Sequence, residues 1–111
     1  MKRVYIAGKI TGDPNYREKF AKAEKELRDM GYTLIMNPAV LPEGFTWDDY
    51  MNITLAMLSA CNTIYLIDGW EDSRGAQIEA GYAESWKYTT LRQNCLNTPK
   101  SELETPNKNN D

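Results

Sequence analysis

The chain of 111 residues carries 13 basic and 16 acidic side chains, a net charge of −3 at pH 7, and no histidine. This length predicts one domain, and the acidic balance argues against a protein that binds the backbone of DNA or RNA, which needs a basic face. Without histidine the chain has no Ser-His or Cys-His triad and no HExxH zinc site, and no apolar run approaches the ~18 residues of a membrane span, which favours a soluble, cytoplasmic protein.

Strands and helices alternate along the first 91 residues. β-Branched and aromatic runs predict the strands, and apolar residues at helical spacing, such as Phe20, Ala23 and Leu27, predict the helices. In chain order the elements are a strand at residues 3–7, a helix between the start signal Asp13-Pro14 and the stop signal Gly31, a strand at 32–36, a helix from Thr46, which begins a capping box, to about Ala60, a strand at 63–67, a helix at 75–87 and a short strand at 88–91.

This alternation is typical of a parallel sheet covered by helices on both faces. We therefore expect an α/β domain over residues 1–91, a three-layer, flavodoxin- or Rossmann-like doubly wound sheet of four to five mostly parallel strands in the order 2-1-3-4. Ligands of such sheets bind in the crevice between the loops that follow strands 1 and 3. The polar tail, residues 92–111, is too poor in apolar residues to form a core, and we expect disorder from residue 97 onward.

The two loops at this crevice carry groups that suit an anion. Gly8 in the first loop allows backbone N–H groups to approach a ligand closely, and Lys9 can donate to an anion. A flexible connection between the strand and the helix explains the same residues. In the second loop Ser73 is a candidate N-cap, where free N–H groups bind phosphate or carboxylate, and Arg74 is a fork donor beside Gly75. This segment alone is explained equally well by simple capping of the helix, without an anion site.

Glu79 decides between these alternatives. It lies on the helix face that also carries Ala76 and Ala83, a stripe of small residues suited to packing on a sheet. A buried carboxylate costs several kcal/mol unless it is paired, so such groups tend to mark functional sites. An ordinary boundary glutamate is the alternative, and the loops beside Glu79 favour a site.

Five stretches of the sequence resemble one known family. They are VYIAGKITG, NPA, WDDYM, IYLIDGW and SRGAQIEAGYA, and together they thread residues 3–91. The chain resembles the nucleoside 2-deoxyribosyltransferase superfamily, most closely its small, often phage- or prophage-encoded branch DUF4406, and it is also similar to deoxynucleoside 5′-monophosphate N-glycosidases.

The resemblance implies cleavage or transfer at the N-glycosidic bond of deoxynucleosides, preferentially of their 5′-monophosphates. The residue that matches the family's nucleophile is Glu79, Tyr5 matches the group that orients the nucleophile or the sugar, and Ser73 matches the phosphate-binding serine. A carboxylate is a competent nucleophile at an oxocarbenium-like carbon and needs no histidine. No cofactor or metal is implied, the partner is a small-molecule nucleotide or nucleoside, and a homodimer is expected.

Further ligand contacts are predicted around these residues. From the loop argument Gly8, Lys9, Arg74 and Gly75 are phosphate neighbours. Trp70 either covers the base by stacking or caps the core. Asp68 is also placed among the substrate-binding residues, as one of several aspartates that stand near the site.

One position departs from the family pattern. Thr54 stands where family members usually carry an aspartate, the second carboxylate that protonates the leaving base or holds the sugar. Threonine is no acid near neutral pH, so general acid catalysis, worth about 10²–10⁴-fold, is not supplied by this residue. This leaves a second hypothesis, a nucleotide-binding protein that senses or sequesters a nucleotide-derived ligand without turnover.

Overall fold

The computed structural model describes residues 1–94, and the disorder predicted from residue 97 onward lies outside this range. Four strands form one parallel sheet in the order β2-β1-β3-β4, which confirms the predicted fold class and strand order. The elements are, in chain order, β1 (Arg3–Ala7), α1 (Tyr16–Asp29), β2 (Leu34–Met36), α2 (Trp47–Ser59), β3 (Thr63–Leu66), α3 (Arg74–Ser85) and β4 (Thr89–Arg92), with 3-10 turns at Pro38–Val40 and Trp70–Asp72.

The side chains of the central strand β1 alternate between two cores. Val4 and Ile6 pack with residues of α1, such as Phe20, on one face of the sheet. Tyr5 and Ala7 pack on the other face, with buried residues that include Leu58, Ala76 and Ala83 of α2 and α3. Helices therefore cover both faces, which gives the predicted three layers. No helix within residues 1–94 is long and apolar enough to cross a membrane.

The predicted start of α1 was two residues too early. The Asp13 carboxylate accepts a hydrogen bond from the Asn15 N–H at 2.9 Å, and the Asp13 carbonyl accepts one from the Tyr16 N–H at 3.2 Å. These bonds hold residues 13–16 in a turn, because an aspartate side chain can bond the backbone two residues ahead. Pro14 therefore lies in this turn, and the helix begins at Tyr16.

The predicted stop at Gly31 is confirmed, but the strand after it begins later than expected. Gly31 has φ of +101°, the left-handed conformation that ends many helices. The Tyr32 N–H then donates to the Leu27 carbonyl at 3.0 Å, which closes the end of α1. Since Tyr32 completes the helix end, β2 starts only at Leu34.

The predicted capping box of α2 is present in full. The Thr46 hydroxyl accepts from the Asp49 N–H, and the Asp49 carboxylate accepts from the Thr46 N–H, both at 3.1 Å. This pair fixes the residue at which α2 begins. Beyond the other end of α2, Cys61 is buried among apolar side chains.

Candidate functional site

A cavity of about 420 Å³ opens where the loop after β1 meets α2 and the start of α3. Tyr5 and Gly8 line it from β1 and its loop, Thr54 from α2, and Ser73 and Glu79 from α3. This is the switch point of the 2-1-3-4 sheet, where the loops after β1 and β3 separate. The cavity is large enough for a small-molecule ligand, since such sites commonly enclose about 300–1,000 Å³.

The carboxyl group of Glu79 lies buried in the wall of this cavity. Its side chain is only 5% exposed, and its Oε2 accepts a hydrogen bond of 2.8 Å from the hydroxyl of Tyr5. Burial raises the pKa of Glu79 to about 7, although the hydroxyls of Thr54 and Tyr5 oppose this rise. The site therefore holds a carboxyl group that changes its charge near neutral pH.

Tyr5 serves as the fixed donor of this pair. Its side chain is 1% exposed and stands on the central strand, where the backbone is held by neighbours on both sides. Burial first, and then the negative charge of Glu79, raise the pKa of Tyr5 well above its usual value. The phenol therefore stays protonated and holds one carboxyl oxygen of Glu79 in place.

The N-terminus of α3 forms another part of the wall. The Ser73 hydroxyl accepts a hydrogen bond from the Ala76 N–H at 3.1 Å, which confirms Ser73 as the N-cap. Both Ser73 and Gly75 line the cavity. The first N–H groups of a helix have no acceptor within it, so this wall presents donors and the positive end of the helix dipole. Gly75 is a tight position, because an added Cβ would lie 3.1 Å from the Met51 sulfur.

Four of the predicted ligand residues lie elsewhere. Lys9 and Asp68 line a second cavity of about 310 Å³, next to the first. The Arg74 guanidinium lies over the ring of Trp47, 4.5 Å from its centroid. Trp70 packs against the core on the α2 and α3 side of the sheet, as in the alternative in which it caps the core. Five of the predicted site residues line the first cavity together: Tyr5, Gly8, Ser73, Gly75 and Glu79.

The sequence interpretation missed the aromatic wall supplied by α2. Trp47, Tyr50 and Met51 of α2 line the cavity. Their spacing of three and four residues is the one signal that places them on a common face. That spacing is shared by any core helix, and so it does not reveal a ligand.

A loop between the first and second helices closes one side of the cavity. The Tyr50 hydroxyl donates to the Pro42 carbonyl at 2.6 Å and accepts from the Phe45 N–H at 3.2 Å, which fixes the loop to α2. Glu43 of this loop also lines the cavity, and it forms an ion pair of 3.4 Å with Arg17 of α1. A second carboxylate thus reaches the same cavity from a segment that carries no recognisable motif.

The fold and the site define a parallel α/β domain with a buried carboxylic acid in a ligand-sized cavity at the switch point. Within residues 1–94 no three acidic or cysteine side chains are grouped so as to hold a metal ion. The family model described as a domain of unknown function, DUF4406, matches residues 2–91, and the chain belongs to this family, as the sequence predicts. No curated protein and no solved structure matches the chain.

Proposed function

We propose that the protein cleaves or transfers the N-glycosidic bond of deoxynucleosides, preferentially of deoxynucleoside 5′-monophosphates, and that it belongs to the nucleoside 2-deoxyribosyltransferase superfamily. The observation that carries this proposal is the Glu79 carboxyl group, buried, bound by Tyr5 at 2.8 Å and exposed to the cavity. Burying a carboxyl group costs stability, and one with a single fixed donor and a ligand-sized space beside it suits a reaction better than it suits packing.

The reaction follows from the chemistry of this carboxylate. In its ionised form Glu79 attacks C1′ of the sugar, the C1′–N bond breaks, and its electron pair leaves with the base. Water, or a second base in transfer, then attacks C1′ and restores the carboxylate, and the proton that the attacking group loses passes to the departed base. Because Tyr5 donates to Oε2, the attacking oxygen is Oε1, held in one orientation. The nucleophile is ionised only above its pKa of about 7, so the rate is expected to rise through that pH.

The start of α3 supports the preference for a phosphorylated substrate. Ser73 and Gly75 lie at the end of the helix that carries positive partial charge, and both line the cavity. Six residues of helix rise separate Ser73 from Glu79, a distance of about 9 Å along the axis. A nucleotide with its phosphate at Ser73 would therefore place its sugar near Glu79.

The proposal is tested by chromatography of the free base. The protein is incubated with each of the four deoxynucleoside 5′-monophosphates, beside the variants Glu79→Gln and Glu84→Gln. Glu84 is an exposed glutamate on the same helix, so it controls for the loss of a carboxylate. Base release is expected from wild type and Glu84→Gln and to be lost in Glu79→Gln. Release that persists in Glu79→Gln would remove Glu79 from the mechanism.

A second candidate function is nucleotide binding without turnover, and Thr54 favours it. This residue lines the cavity beside Glu79 and offers a hydroxyl rather than an acid to a leaving base. A nucleotide at ~100 times its dissociation constant stabilises the folded state by about 2.7 kcal/mol. Thermal stabilisation by a nucleotide with no base released would support this binder in place of the enzyme.

A further inference from the structure

Two acidic side chains of residues 1–94 line the first cavity, Glu79 and Glu43. Three nearby aspartates are placed elsewhere. Asp68 and Asp72 line the second cavity, and the Asp49 carboxylate is bound to the start of α2. Glu43 is therefore the second described carboxylate of the cavity that holds Glu79, although it lies on the loop before α2 and on no helix.

Glu43 and Glu79 reach the cavity from strands on opposite sides of β1. Glu43 lies on the connection that follows β2, and Glu79 lies on α3, which follows β3, while β1 stands between β2 and β3 in the sheet. Tyr5 of β1, the donor to Glu79, has Met36 of β2 and Ile64 of β3 as its neighbours in the register. A ligand bound at the carboxyl end of β1 therefore lies between the two segments that carry the carboxylates.

The surroundings of Glu43 suit a group that accepts a proton. Its side chain is 75% exposed and lies 3.4 Å from the Arg17 guanidinium, so the carboxylate meets both water and a positive charge. Such a carboxylate carries its negative charge near neutral pH. The same guanidinium donates hydrogen bonds to the carbonyls of Ala39 and Leu41, at 2.8 and 3.3 Å. Arg17 thus fixes the loop that carries Glu43 at the wall of the cavity.

We propose that Glu43 is the second catalytic carboxylate of this site, the general base for the water that releases the sugar from Glu79. This inference rests on the proposed function, whose second step requires water to lose a proton as it attacks C1′. As the new C1′–O bond forms, the bond between C1′ and the Glu79 oxygen breaks, and its electron pair returns to the Glu79 carboxylate. The proton of the water moves to Glu43 and from there to the departed base, which leaves both glutamates ionised. The tyrosine and threonine hydroxyls of the cavity cannot take this proton, because such groups are already protonated near neutral pH.

The test separates the two steps of the reaction. Release of the base from each of the four deoxynucleoside 5′-monophosphates is followed by quench-flow, in the first turnover and in the steady state. First-turnover release reports the attack by Glu79, and steady-state release also requires water to free the sugar. The proteins are wild type, Glu43→Gln and Glu84→Gln, in which a different exposed glutamate is replaced as the control.

Glu43→Gln is expected to release about one base per protein molecule in a burst, because the attack by Glu79 is intact while the sugar stays attached. The burst rate should lie within about twofold of the first-turnover rate of wild type, and the steady-state rate should fall about 100-fold or more, the usual size of general base catalysis. Glu84→Gln is expected to match wild type in both phases.

Azide distinguishes a general base from a residue that merely holds the loop. The azide ion has no proton to lose, so it attacks C1′, forms an azido sugar phosphate and frees Glu79 without the help of a base. Azide is therefore expected to restore fast steady-state release in Glu43→Gln. It is expected to leave Glu79→Gln inactive, because that variant lacks the nucleophile of the first step.

Three results would overturn the role of Glu43. They are steady-state release by Glu43→Gln within about twofold of wild type, an equal loss of rate in both phases, and a slow steady state that azide does not relieve. Wild-type protein that released no base from any of the four monophosphates would instead count against the proposed function, and the inference would fall with it.

Discussion

Replacing Glu79 by glutamine should change how the stability of the protein depends on pH. Burial raises the pKa of Glu79 from 4.5 to about 7, which is equivalent to about 3 kcal/mol, since each pH unit between the two values contributes about 1.4 kcal/mol. Below pH 4.5 the group is protonated in both the folded and the unfolded chain, and no stability is lost. As the pH rises towards 7, the unfolded chain ionises while the folded chain stays protonated, so the free energy of unfolding falls.

The glutamine variant lacks this ionisation, and so it should gain on wild type as the pH rises. Urea denaturation at pH 5 and pH 8 gives the free energy of unfolding of each protein. The difference between Glu79→Gln and wild type should grow by about 2–3 kcal/mol between these two values of pH. Other carboxylates contribute equally to both proteins and cancel in the comparison.

The exposed Glu84 supplies the matched control, because its side chain contacts water in both the folded and the unfolded chain. Glu84→Gln should differ from wild type by the same amount at both pH values. If the difference between Glu79→Gln and wild type stayed constant within about 0.5 kcal/mol, the size expected of a surface substitution, the carboxyl group could not be buried as described. The argument for a functional carboxylate would then lose its physical basis.

Three further substitutions test the surroundings of the site. Gly8→Ala should lower the free energy of unfolding, measured by urea denaturation, by about 1–3 kcal/mol, because the new Cβ would lie 3.1 Å from side-chain atoms of Ile67. A variant as stable as wild type would show that the loop has room to move. Thr46→Ala should cost about 1 kcal/mol of thermal stability by removing the capping box of α2, and an unchanged melting temperature would contradict that role. Tyr5→Phe should raise the pKa of Glu79 further, because it removes the hydroxyl whose hydrogen bond stabilises the ionised carboxylate. NMR of the Glu79 carboxyl carbon follows this pKa, and a lower value would refute the prediction.

Much of the fold follows from local patterns in the sequence. The continuous apolar run at β3 predicts a strand covered on both faces, and all residues of Thr63–Leu66 are buried. The alternation of strands and helices allows few topologies, so the strand order 2-1-3-4 could be predicted. The start of α1 and the start of β2 were less predictable, because they depend on hydrogen bonds of Asp13 and Tyr32 that compete with the simple periodic pattern.

The site was predictable where a residue stands directly at the switch point or on a patterned helix face. Glu79 is an example, since its place among small residues on α3 indicated its burial. Lys9 follows β1 and Asp68 follows β3, but both line the neighbouring cavity. The sequence could not predict this, because it does not tell to which side of a loop a side chain turns. Trp47 and Glu43 reach the cavity through the long connection before α2, whose path depends on tertiary contacts with Arg17 and has no local signature.

The most direct test of the central claim is to look for the sugar attached to Glu79. The protein is mixed with a deoxynucleoside 5′-monophosphate that it cleaves, quenched in acid within the first turnovers, and digested for mass spectrometry. We predict that the peptide containing Glu79 gains the mass of one deoxyribose phosphate unit, less water, and that the Glu79→Gln protein gives no such adduct. The account would be contradicted if the sugar were found attached to a different residue. It would also be contradicted if Glu79→Gln released the base as fast as wild type.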